Sequence, residues 1–142
     1  MIARRALSVL MIALGVAAIA IGLSIFLWGA AFTAHLTEQL YDRAAGPVAS
    51  TETLGPVFES ELRFYAPFWV VYGAILISTA RRFPERLGRV PALSALFFAG
   101  GVGRALAWLQ AGPPHPAFIG LMLSELTLPL IFLVLWALAR RV

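Results

Sequence analysis

Residues 6–34 read ALSVLMIALGVAAIAIGLSIFLWGAAFTA, 29 positions without an ionisable side chain. As a helix rising 1.5 Å per residue, that run reaches about 43 Å. The hydrocarbon core of a bilayer is only about 30 Å thick, so the helix must tilt or protrude. Arg4 and Arg5 precede it, as in a secretory signal. A signal's apolar region, however, runs about 7–15 residues. The stretch therefore reads as an uncleaved first membrane helix.

Three further apolar runs follow, over residues 64–80, 90–111 and 116–139, the third broken only by Arg104 and the fourth only by Glu125. Each approaches or exceeds the roughly 20 residues that a membrane helix needs. Of the 142 residues, 61% are hydrophobic and 13% charged, against about 25% charged in a soluble domain. The expected fold is an all-α membrane protein, an antiparallel bundle of four transmembrane helices in one domain. The chain has no cysteine, which excludes disulfides and thiolate metal sites. All eleven basic residues are arginine.

Arginine placement gives an orientation. Arg4, Arg5, Arg81, Arg82, Arg86, Arg89, Arg140 and Arg141 fall on one side, and Glu38, Asp42, Arg43, Glu52, Glu59, Glu61 and Arg63 on the other. The positive-inside rule assigns the arginine-rich side, with both termini, to the cytoplasm. For a bacterial inner membrane, the long connection over residues 35–63 then faces outward. In it, Leu36, Leu40 and Ala44 can line one face of a short helix, Gly46-Pro47 ends that helix, and Gly55-Pro56 marks a second turn. The other outward connection, Gly112-Pro113-Pro114-His115-Pro116, is short and stiff, so the third and fourth helices are antiparallel neighbours. Pro67 reads as a first-turn residue of the second helix.

Small residues mark the packing faces. Gly15, Gly22 and Gly29 recur every seven residues with Ala18 on the same face, and Gly100, Gly101 and Gly103 precede Arg104. Such positions let a neighbouring backbone approach closely. The neighbour can be another helix of this chain or another subunit.

Arg104 and Glu125 are the candidates for chemistry. A charge at the bilayer centre costs about 2.5–3.5 kcal/mol on insertion scales, so such groups turn inward and pair. Arg104 lies seven residues before Ala111, about 10 Å deep, and Glu125 nine residues after Pro116, about 13 Å deep. The matched depths predict an ion pair in the outer half of the membrane. A structural clamp and a ligand or proton site are both compatible with it. On the second helix, Tyr65, Trp69 and Tyr72 are spaced to share a face near Glu61 and Arg63. Turned inward, that face would wall an outward-opening pocket with Arg104 and Glu125 at its base. Turned outward, it would form an aromatic belt.

Arg63-Phe64-Tyr65, Gly100-Gly101-Val102-Gly103-Arg104, Gly112-Pro113-Pro114-His115-Pro116 and Glu125 together resemble a small bacterial four-helix membrane family, domain of unknown function 4345. The likeness covers roughly residues 60–140, plus the first helix in outline. It implies Arg63, Arg104 and Glu125 as characteristic polar positions, and no activity.

The expected function is the binding of a lipid or small amphipathic ligand by Arg104, Glu125, Arg63, Tyr65, Trp69, Tyr72 and Glu61, without catalysis. A structural subunit docking a membrane partner or a second copy through its glycine-lined first helix is the alternative. A lipid-modifying isomerase using Glu125 ranks last. The sequence carries no phosphate loop, dinucleotide fingerprint or clustered ligand set, so no cofactor, metal or nucleic acid is expected.

Overall fold

The computed structural model describes residues 1–41 and 55–141, without the side chains of 30, 31, 33, 34, 36–38, 40 and 41. Four helices account for most of these residues: α1 (Ile2–Tyr41), α2 (Pro56–Arg81), α3 (Val90–Ala111) and α4 (Pro116–Ala139), with a 3-10 turn at Leu87–Arg89. Among the described residues there is no strand. Segments Ile2–Gly29, Pro56–Arg81, Leu87–Ala111 and Pro116–Ala139 are each long and apolar enough to cross a membrane. Only 22% to 28% of each segment's most apolar stretch is buried. The apolar surface left over is too extensive for water and fits a lipid environment.

α1 departs from the expected first span. Gly29 has φ +82°, which breaks α1, and the continuous segment long and apolar enough to cross a membrane is Ile2–Gly29. Glycine adopts that backbone region without the Cβ penalty of other residues. The helix resumes beyond the break to Tyr41, so residues 35–41 are helical, as the spacing of Leu36 and Leu40 predicts. Gly46-Pro47, Asp42, Arg43, Ala44 and Glu52 lie outside the described residues, as do the side chains of Leu36, Glu38 and Leu40.

α2 starts at Pro56, eight residues before the expected second span. Pro56 needs no N–H at the first helical position, and Phe58 and Glu59 donate their N–H groups to Gly55 O. Glu59 suits the first turn, where the helix dipole favours a negative charge. Pro67 is consequently an interior proline, not a first-turn one. It has no N–H to offer the Arg63 carbonyl four residues back.

Residues 13–75 form one compact unit. In it α1 and α2 run antiparallel with their backbones nearly touching. A Cβ built on Gly73 would strike Gly15 O and come within 2.8 Å of Ile19 Cγ1. One built on Gly22 would lie 2.8 Å from both Ala66 O and Val70 Cγ2. Further along, a Cβ on Gly29 would strike Glu59 Oε1. Gly15, Gly22 and Gly29 thus meet Gly73, Ala66 and Glu59, also spaced by seven. Two seven-residue repeats of mostly small residues mesh as one seam.

Residues 1–12 and 76–142 form the second unit. Here α3 and α4 are antiparallel neighbours. Gly112, at φ +93°, ends α3 and donates its N–H to Trp108 O at 2.9 Å. The Nδ1 of His115 accepts from the Ala117 N–H at the start of α4. α4 buries Met122, Glu125, Pro129, Phe132 and Ala139, and α3 buries Val90, Ser94, Phe97 and Gly101. These positions step by three or four residues, or by seven, along one stripe of each helix. At the opposite end of this unit, Arg4 Nε donates to Ala139 O at 3.2 Å and Ser8 Oγ to Ala80 O at 3.2 Å. The eight arginines assigned to one side by sequence all belong to chain segments that meet here. Arg86, which donates to Ser78 Oγ, is pushed below the usual arginine range by desolvation and by the charges of Arg82 and Arg89, against Glu85. It keeps its proton nonetheless.

Candidate functional site

The α3 and α4 stripes carry Arg104 and Glu125 to each other. Arg104 lies three residues beyond Gly101, and Glu125 lies between Met122 and Pro129. Gly101 brings the helices together, since a Cβ there would sit 2.9 Å from Leu126 Cδ2 and 3.0 Å from Glu125 Cβ. Gly103 has no such role, because nothing lies within 4 Å of its would-be Cβ. The expectation that Gly100, Gly101 and Gly103 all line the seam is corrected at Gly103, which is turned off the stripe.

The ion pair expected from matched depth is formed. Arg104 Nε donates to Glu125 Oε2 at 2.8 Å and to Oε1 at 3.0 Å. Glu125 is buried, its side chain 4% exposed, whereas that of Arg104 is 33% exposed. One N–H therefore engages both carboxylate oxygens. Among the described residues, the Nη1 and Nη2 groups of Arg104 make no hydrogen bond. The Arg104 Cζ also lies 5.8 Å from the centroid of the Phe118 ring, a cation–π distance. Pro129 adds a further feature: lacking an N–H, it leaves the backbone carbonyl of Glu125 without its helical donor.

The other five residues of the expected site lie in the unit of residues 13–75 and do different things. Arg63 Nε pairs with Glu59 Oε1 at 2.8 Å, and its Nη1 donates to Phe26 O at 3.2 Å. Arg63 thereby caps the first segment of α1, whose last carbonyls lose their helical donors near the Gly29 break. Trp69 and Tyr72 stack edge-to-face with centroids 6.4 Å apart, and Tyr72 is buried. Tyr65 turns instead toward Phe64 and Phe68, at 5.3 and 6.4 Å, in an exposed cluster. The three rings expected on one face are thus divided between two groups. Glu61 is exposed.

Glu59 and Phe118 are contacts of the candidate arginines that apolar patterning does not single out. Glu59 precedes Arg63 by four residues, a helical pairing distance, but the helix was expected to begin only at residue 64. Phe118 precedes Glu125 by seven residues, two helical turns, and so shares its stripe.

Four apolar helices bearing the Gly-Gly-x-Gly-Arg run, the Pro-rich turn and the buried glutamate can now be set beside known sequences. The family described as Domain of unknown function (DUF4345) matches residues 6–136. The chain belongs to this family. The match takes in all or nearly all of each of the four helices that are long and apolar enough to cross a membrane. No curated protein and no solved structure matches the chain significantly.

The glycine face of α1 also bears on partner docking. Gly22 and Gly15 are covered by α2 of the same chain. A substitution there acts first on the internal seam.

Proposed function

We propose that this membrane protein binds the acidic headgroup of a lipid or small amphipathic ligand at Arg104, and that Glu125 holds the arginine for that purpose. The observation that supports this reading is the uneven use of the guanidinium. Glu125 occupies Nε alone, while Nη1 and Nη2 keep their donors. Those two nitrogens form a planar fork that matches a carboxylate or phosphate. Fixing Nε removes rotational freedom from the fork before a ligand arrives, which lowers the ordering cost of binding. Phe118 supports one side of the cation. A pure clamp would gain more from a two-nitrogen contact with the carboxylate.

The arginine distribution supports an orientation with both termini in the cytoplasm of a bacterial inner-membrane protein. Arg104 then lies in the outer half of the bilayer, within reach of outer-leaflet headgroups. Alkaline phosphatase fused after Pro114 should be active and a fusion after Arg141 inactive; the reverse pattern would invert the proposed orientation.

Lipid extraction from the purified protein tests the binding reading. Wild type should carry an anionic lipid or amphiphile that Arg104→Ala loses and Arg104→Lys partly keeps. Identical extracts from all three proteins would overturn the proposal.

A further inference from the structure

A donor-rich recess lies at the arginine-rich end of the unit formed by residues 1–12 and 76–142. It has a volume of about 390 Å³ and is lined by Leu87, Gly88, Trp136 and Arg140. The Arg140 guanidinium carbon stands 4.6 Å from the centroid of the Trp136 ring, close enough for a cation–π contact. The Trp136 Nε1–H is buried and has no hydrogen-bond partner among the described residues. Buried indole N–H groups usually find an acceptor, so this one is a donor that the described residues leave unpaired.

Every side-chain polar group lining the recess is a donor. The Leu87 carbonyl already accepts from the Val90 N–H. Arg82, Arg86 and Arg89 belong to the same α2–α3 connection, and Glu85 is its only acidic residue. The surroundings therefore favour an anion with several acceptor oxygens. Trp136 also lies in the last turn of a helix long and apolar enough to cross a membrane, and Arg140 is its C-cap, the level at which phospholipid headgroups meet protein.

We propose that this recess binds the phosphate of an anionic phospholipid, the indole N–H and the Arg140 guanidinium both donating to its oxygens. The site is separate from Arg104 and uses none of its residues. Leu87 and the Trp136 ring would flank the glycerol and upper acyl carbons.

Native mass spectrometry of the full-length protein, titrated with phosphatidylglycerol or phosphatidylcholine, tests this. Using Arg104→Gln protein as the parent keeps the two sites apart. Phosphatidylglycerol should be retained over phosphatidylcholine. Arg140→Gln should reduce that retention about tenfold, and Trp136→Phe, which keeps the ring but removes the N–H, about threefold. Arg141→Gln, one residue outside the recess, should leave it unchanged. Equal losses from Arg140→Gln and Arg141→Gln would mean diffuse attraction by the arginine-rich end, and would overturn the site. Displacement by millimolar inorganic phosphate without any lipid preference would assign the recess to free phosphate and overturn the lipid assignment. Circular dichroism of each variant confirms that it is folded before its retention is compared.

Discussion

The α1–α2 seam and the α3–α4 seam solve the same problem in opposite ways. Between α1 and α2, glycines bring two backbones so close that an added methyl on Gly73 would strike Gly15 O. Between α3 and α4, only Gly101 allows comparable closeness, and a would-be methyl there meets side chains of Leu126 and Glu125. The second seam then spends its closeness on an ion pair. In lipid there is little hydrophobic drive between helices, so packing and polar contacts hold them together. The first seam relies on backbone packing along Gly15, Gly22 and Gly73, with Arg63 adding a hydrogen bond to Phe26 O near its Gly29 end. The second places an ion pair within two apolar helices and, among the described residues, leaves two of the arginine nitrogens without a hydrogen bond, which is hard to account for as packing.

Substitutions should grade along this contrast. Gly73→Ala should cost most, about 3 kcal/mol of stability in detergent unfolding, because a backbone oxygen cannot move aside as a side chain can. A cost below about 1 kcal/mol would mean the seam is looser than described. Glu125→Leu comes next, at about 2 kcal/mol, less than the 3–5 kcal/mol typical of a broken buried pair. Arg104 is one-third exposed and can redirect its charge. Gly101→Ala should cost about 1 kcal/mol, since Leu126 can adjust its rotamer. Gly103→Ala should change stability by no more than about 0.5 kcal/mol, because its methyl would meet open space. If Gly103→Ala destabilised as much as Gly101→Ala, the exclusion of Gly103 from the seam would fail.

Much of this contrast was legible in the residues. The limits of α3 and α4 follow from apolar runs bounded by the Gly112–Pro116 turn. The Arg104–Glu125 pair follows from equal depth on either side of that turn. The early start of α2 was hidden because Glu59, Glu61 and Arg63 end the apolar run. The helix continues through them on a four-residue ion pair that hydropathy does not register. The break at Gly29 was hidden for a different reason. Gly15, Gly22 and Gly29 look alike in sequence, and all three are crowded by α2; only the φ of +82° at Gly29 separates the last from the others. Nor could spacing reveal that Glu125 would engage Nε and leave the rest of the guanidinium unspent. That depends on side-chain rotamers, which periodicity does not encode.

The central claim is that Arg104 presents its free nitrogens to an anionic headgroup. Titration of the full-length protein with an anionic lipid, read by native mass spectrometry, tests it most directly when wild type, Arg104→Gln and Gly103→Ala are compared at equal helical content. Each parent should carry Arg140→Gln, so that the recess at the other end does not contribute. Arg104→Gln should weaken retention about tenfold, the effect of losing one charged hydrogen-bonding group, while Gly103→Ala matches wild type. Equal retention by Arg104→Gln and wild type would contradict the account and leave the pair as a clamp.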